Sequence, residues 1–195
     1  MRIFIALDIE DSIRERIARF VEGVHGFAPD ARWVRPESMH ITLKFIGEKS
    51  EQAVGEIKQA LETVGSGAVE IRFRGHGFFP TAKAPRVFWI GIEAGPQLAS
   101  LASAVDEKMV SLRIPKEEHV FSPHLTLARR AGGSGSQRLR KLDVPNSSFQ
   151  RLQEKLSAMP ALEFGTMTAH DFFLYQSQLS RGGSQYTKLS AFALQ

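Results

Sequence analysis

Histidine and threonine recur two residues apart at two places in this chain, in Met39-His40-Ile41-Thr42-Leu43 and in Pro123-His124-Leu125-Thr126-Leu127. Aliphatic residues fill the positions between and after. Successive side chains of a β-strand point to opposite faces, so His40 and Thr42 project together while Ile41 and Leu43 anchor the other side; the same holds for His124 and Thr126. Two imidazoles on facing strands supply one acid and one base near neutral pH, and the hydroxyls beside them supply neutral donors for a phosphate. Metal-free phosphodiester chemistry requires that set of groups. One His-x-Thr in a strand is ordinary; its repetition 84 positions later is what carries information.

The elements that position these residues repeat as well. Ile3-Phe4-Ile5-Ala6-Leu7 and Val87-Phe88-Trp89-Ile90-Gly91 read as strands, with Phe4 and Phe88 each 36 residues before the histidine that follows. The spacing predicts an internal duplication, approximately residues 1–80 and 86–195 of one domain spanning 1–195. Between strand and motif each half holds one amphipathic helix. The first carries Ile13, Ile17, Phe20 and Val24 on one face and opens on Ser12 with Glu15 as a capping box; the second carries Leu98, Leu101, Val105 and Met109 after Pro96. A further helix follows each motif: Val54, Ile57, Leu61 and Val64 behind a Ser50 cap, and Phe149, Leu152 and Leu156 behind Asn146 or Ser147. Strands close the halves, at Ile71 to Phe79, Leu162 to Tyr175 and Tyr186 to Leu194.

Strands separated by single helices in two similar halves predict an α+β fold: bilobal, two pseudo-symmetric antiparallel sheets, edge to edge or face to face, with outer helices and the two motifs lining the groove between them. Phe79 to Pro85 reads as a rigid, proline-bounded crossing, and Gly132-Gly133-Ser134-Gly135-Ser136 as a surface loop too short to link domains.

Composition sets the surroundings. The absence of cysteine excludes disulfides, a thiol nucleophile and thiolate-bound metal. No apolar run is long enough for a signal peptide or a membrane span, so a soluble cytoplasmic protein is expected. The net charge of +4 is unevenly spread: Ile71 to Ile92 contains no acidic residue, and Arg129 to Lys141 holds five basic residues and no carboxylate. Such stretches suit a polyanionic partner.

At this point the residues resemble a known family. The two His-x-Thr motifs, Arg32-Trp33-Val34-Arg35-Pro36-Glu37 before the first, Thr42-Leu43-Lys44-Phe45-Ile46-Gly47 within it, and Pro123 to Arg129 around the second are similar to the bacterial and archaeal RNA 2′,3′-cyclic phosphodiesterases, LigT-type members of the two-histidine phosphoesterase superfamily also called 2′-5′ RNA ligases. The resemblance runs from Arg2-Ile3-Phe4-Ile5-Ala6-Leu7-Asp8 to the closing strand. It implies hydrolysis of a 2′,3′-cyclic phosphate end of an RNA or oligonucleotide to a 2′-phosphate, with no cofactor and no metal, by a monomer. It implies His40 as the acid and His124 as the base, a choice the residues alone leave open. Thr42 and Thr126 would then donate to the nonbridging oxygens. Two alternatives remain beside hydrolysis, an ATP-independent 2′-5′ ligase and a noncatalytic nucleotide-binding module.

Alternation assigns the neighbours. Arg129 falls on the face of Leu125 and Leu127, away from His124, unless the strand ends or bulges at Ala128; the resemblance places an arginine near the phosphate there. Lys44 alternates onto the histidine face and Phe45 into the core. Trp33, Phe78 and Phe79 are candidate base-stacking platforms. His25, His76, His119 and His170 lack partners at metal-binding spacing.

Overall fold

Helix starts illustrate how local chemistry sets the elements. Helix α2 (Glu51–Leu61) begins where the Ser50 hydroxyl accepts from the Ala53 N–H at 3.2 Å, and α3 (Pro96–Ser111) begins with Pro96 in its first turn. Helix α1 (Asp11–Val24) starts two residues earlier than a Ser12 cap predicts; Glu10 is its N-cap and no side chain caps it, so the expected Ser12–Glu15 box does not form. The cap of α4 (Ser147–Ser157) lies outside the described residues. The computed structural model describes residues 1–130, 147–180 and 183–194, so the Gly132–Ser136 segment and most of the Arg129–Lys141 run fall outside it.

The strands are β1 (Arg2–Leu7), β2 (Ala31–Trp33), β3 (Ile41–Glu48), β4 (Val69–Phe79), β5 (Val87–Ala94), β6 (His124–Arg130), β7 (Glu163–Ala169), β8 (Asp171–Ser180) and β9 (Gly183–Ala193). They form one antiparallel sheet in the order β7-β4-β5-β6-β3-β1-β8-β9, with β2 pairing β6. The two expected sheets are therefore joined edge to edge. Their seam is the β3–β6 ladder, which consists of the single pair Ile41–Leu125. Helix α1 packs against β7, while α3 packs against β3 and α2. The buried faces of all four helices, including Ile17, Ile57, Val105 and Leu152, merge with the inward strand residues into one continuous core.

A second, small cluster of Phe4, Ala6 and Tyr175, joined by Phe173 and Tyr186, contains no helical residue. It lies on the open face of the sheet. No helix among the described residues is long and apolar enough to cross a membrane.

Two segments and the pairing of the halves differ from expectation. The stretch Leu162 to Tyr175 is two strands, because buried alternation runs through Met167 and Ala169 and then slips phase to Phe172 and Leu174. β7 pairs β4 in one half of the sheet, and β8 pairs β1 in the other. Phe79 to Pro85 is no crossing between lobes; it links the hairpin strands β4 and β5, closed by Arg86 N–H donating to Phe79 O at 2.7 Å. Finally, the sequence halves exchange strands. β4 from the first half pairs β5 of the second, and β8 from the second pairs β1 of the first.

Candidate active site

The seam brings the motifs together. Ile41 and Leu125 face each other with both side chains fully buried. Antiparallel register around that pair carries Thr126 across from His40 and Thr42 across from His124, all four on the open face. The histidines thus occupy one diagonal of a rectangle and the threonines the other, with sides of roughly 7 Å along a strand and about 5 Å across. The arrangement is twofold about the Ile41–Leu125 pair. Like groups therefore approach one central point from opposite corners.

Each ring is held in the same way. His40 Nδ1 lies 2.7 Å from Ser38 O, and His124 Nδ1 lies 2.9 Å from Ser122 O. A carbonyl only accepts, so Nδ1 carries the proton in both rings and Nε2 is left to exchange one. Rings pack around them. The His40 centroid is 4.7 Å from that of Phe4 and 5.1 Å from that of Tyr186; the His124 centroid is 4.9 Å from that of Phe79, edge to face, and 6.3 Å from that of Trp89. A Cβ at Gly77 would collide with the Trp89 ring, so only glycine leaves the indole this seat.

Burial disfavours the imidazolium, pushing His40 down to about 4 against a weaker opposing effect of the Ser38 bond, with Arg129 adding repulsion. His124 is lowered by the same burial and by Arg129. Burial likewise pushes the Tyr175 hydroxyl above its usual range.

Matching bulges occur in both motif strands. In the β1–β3 ladder Ile5 faces Lys44 and Ala6 faces Thr42, leaving Leu43 as the extra residue; in the β5–β6 ladder Phe88 faces Ala128 and Trp89 faces Thr126, leaving Leu127 extra. Each bulge turns two consecutive residues inward and reverses the facing of the residues beyond them. In β6 it places Arg129 on the open face, where its charge reaches both histidines. In β3 it overturns the reading by strict alternation. Lys44 is 2% exposed, buried beneath α3, and Phe45 is 58% exposed on the open face, its ring centroid 5.9 Å from that of Phe4. Phe45 and Arg129 occupy equivalent places.

The buried Lys44 holds the loop that delivers His124. Its Nζ donates to Asp106 Oδ1 of α3 at 2.5 Å and to Pro115 O at 2.9 Å, while the Glu117 N–H donates to Asp106 Oδ1 at 3.3 Å. A counterpart holds the turn before His40: Arg14 of α1 donates to Pro36 O at 2.6 Å and to Asp8 Oδ1 at 2.7 Å. Lys188 reaches the same carboxylate at 2.5 Å. Burial pushes Asp8 up, but bonds from Lys188, Arg14 and the Ile9 N–H outweigh it and keep the carboxyl below its ordinary value. In both motifs a cation bound to a carboxylate grips a prolyl carbonyl upstream of the histidine. Sequence reasoning missed Asp8, Arg14 and Asp106.

Of the three proposed stacking residues only Phe79 borders the site. Trp33 donates Nε1 to Ala28 O at 3.1 Å and packs on Phe88, and Phe78 stacks on Phe88 and meets Phe149, both on the core side. Among the described residues, no three His, Asp or Glu side chains converge as metal ligands.

Known proteins share this architecture. Residues 7–89 match the family model described as LigT like phosphoesterase. The chain is 34% identical over 98% of its length to an RNA 2′,3′-cyclic phosphodiesterase of Archaeoglobus fulgidus, covering 99% of that protein. It is 33% identical over 89% of its length to one from Aeropyrum pernix, covering 92% of it. A crystal structure from Thermus thermophilus superposes with a TM-score of 0.77 at 27% identity, covering 100% of this chain and 98% of that one. With identity at that level spread over nearly the full length and the same fold beneath it, the chain belongs to the LigT-like phosphoesterases, the family of the RNA 2′,3′-cyclic phosphodiesterases.

Proposed function

We propose that this protein hydrolyses RNA 2′,3′-cyclic phosphate ends to 2′-phosphomonoesters by proton transfer between two histidines. The observation that carries the reading is the diagonal placement of His40 and His124, each with Nδ1 bonded to a carbonyl and Nε2 left for exchange. Water attacks phosphorus as His124 Nε2 takes its proton. The P–O3′ bond breaks on the opposite side, and the 3′ oxygen takes a proton from His40 Nε2; one water is consumed and both histidines end with their roles exchanged, ready to relax through solvent. Thr42 and Thr126, on the other diagonal, donate to the nonbridging oxygens as charge builds there, and Arg129 adds a positive field. Hydrogen bonds from Nδ1 to a carbonyl suit both the neutral and the charged ring, so one anchoring geometry serves acid and base alike.

The acid needs its proton from somewhere. Burial leaves His40 neutral in the free protein at neutral pH. The cyclic phosphate arrives as an anion, and its charge raises the affinity of the adjacent ring for a proton. Substrate binding itself then charges the acid.

The decisive experiment incubates the protein, with chelator present, with an oligoribonucleotide ending in a 2′,3′-cyclic phosphate and identifies the product. A 2′-phosphate is expected. A 3′-phosphate would overturn the assigned bond cleavage, and activity that disappears with chelator and returns with a divalent ion would overturn the metal-free route.

A further inference from the structure

Arg32 of β2 stands directly opposite Arg129 of β6. The next pair in that ladder, Trp33 with Ala128, is turned toward the core, where Ala128 is fully buried. Arg32 and Arg129 therefore share the open face, beside the histidines. Both are exposed. Five described arginines form ion pairs with carboxylates: Arg14, Arg19, Arg35, Arg72 and Arg74. Among the described residues Arg32 and Arg129 have none. Like charges directly opposite in a sheet repel and destabilise it, and among the described residues no carboxylate forms an ion pair with either.

Position gives the pair a meaning. β2 and β3 lie along the same edge of β6, β2 facing residues 128–130 and β3 facing Leu125, with the His40-bearing turn looped out between them. The arginine pair thus continues the rectangle of catalytic groups in one direction along β6. The equivalent place beyond the first motif presents Phe45, which carries no charge. The two ends of the site differ: cationic over β6 and β2, aromatic over β3 and β1. A polyanion with its terminal phosphate at the histidines gains by leaving over the cationic end, where planar guanidinium groups match phosphate oxygens.

We infer that Arg32 and Arg129 form an anion subsite that binds the phosphodiester on the 5′ side of the terminal nucleotide, which makes the preferred substrate an oligonucleotide rather than a cyclic mononucleotide. This rests on the hydrolytic reading above and names its substrate class. Arg32 is the residue that distinguishes the two substrates, since a cyclic mononucleotide with a free 5′ hydroxyl has no group to place there.

The test compares kcat/KM for uridine 2′,3′-cyclic phosphate with that for a uridine dinucleotide ending in the same cyclic phosphate, in wild type and in R32Q. The ratio of dinucleotide to mononucleotide should exceed one in wild type and fall about tenfold in R32Q, as expected for loss of a charge-assisted hydrogen bond. R32K should restore part of it. On a dinucleotide the salt slope of log affinity should flatten by about one in R32Q. A ratio unchanged in R32Q overturns the proposal, and a ratio that instead collapses in F45A lays the strand along β1 and β3. Dinucleotide binding is measured in parallel: a wild type that binds but hydrolyses neither substrate overturns the hydrolytic reading, while R32Q affinity still decides the subsite.

Discussion

At the scale of the residue, the proposed chemistry depends on two rings whose proton affinity burial lowers. His40→Ala and His124→Ala should each lower turnover by ~10²–10⁴ with the fold retained, and the double variant should be little worse than the worse single one, since either loss already breaks the paired proton transfer. Turnover of the purified variants, with circular dichroism as the folding control, checks this. The active form needs one ring charged and one neutral, and both rings titrate below the ordinary histidine value. The kcat/KM profile of the free enzyme should therefore peak on the acid side of about 6.5, and the kcat profile should peak at higher pH because the bound anion favours protonation. Stability carries the same signature. The folded value of His40, about 4, lies below the unfolded one, so the unfolded chain takes the proton first. Its contribution is complete above the unfolded value and is lost as pH falls toward 4. Urea midpoints measured between pH 6.5 and 5 should fall less steeply in His40→Gln than in wild type. The histidines and threonines were legible because two-residue alternation and repetition survive any detail of packing. Lys44 and Phe45 were misread for want of one bulge. Allowing in β3 the irregularity considered for Arg129 in β6 would have placed Phe45 on the open face.

At the scale of the element, bulges and clamps convert strands into a site. The bulge at Leu43 drives Lys44 beneath α3, where it ties Asp106 and the Pro115 carbonyl to the strand of the first motif. Removing the ammonium in Lys44→Met leaves Asp106 buried without its cation, a loss of about 3–5 kcal/mol. Adding Asp106→Leu should recover much of that stability but not the grip on Pro115. Turnover should then stay low although the fold is restored, with kcat affected more than KM, because the loop carrying Ser122 sets where His124 stands. Chemical denaturation and steady-state kinetics on both variants check this; full turnover in the double variant would show that the clamp serves stability alone. Helical faces were readable throughout, since 3.6-residue periodicity reports burial directly. The clamps were not, because a lysine in a strand and an aspartate in a helix 62 residues away share no local pattern.

At the scale of the whole molecule, the exchange of closing strands interlocks the halves. Neither residues 1–80 nor 86–195 supplies all the neighbours of its own first strand: β1 needs β8, and β5 needs β4. The lobes should accordingly open together. Native-state hydrogen exchange should give the best-protected amides of β1 and β8 the same opening free energy as those of β4 and β5, and two distinct values would show separable lobes. The paired motifs were visible in sequence, and the antiparallel sheet with outer helices was expected from the strands and helices around them. Partner choice was not, since strand exchange alters no residue pattern and is fixed only by which edge is free when the chain closes.

That exchange has a consequence for synthesis. β1 leaves the ribosome well before its partner β8, which begins at Asp171, and Asp8 meets Lys188 across 180 residues of sequence. Until β8 emerges, the apolar Ile3-Phe4-Ile5-Ala6-Leu7 edge has no partner to cover it, and pairing across so long a loop is slow. A nascent chain halted before Asp171 should therefore expose an adhesive edge that chaperones recognise, and a full-length chain should not.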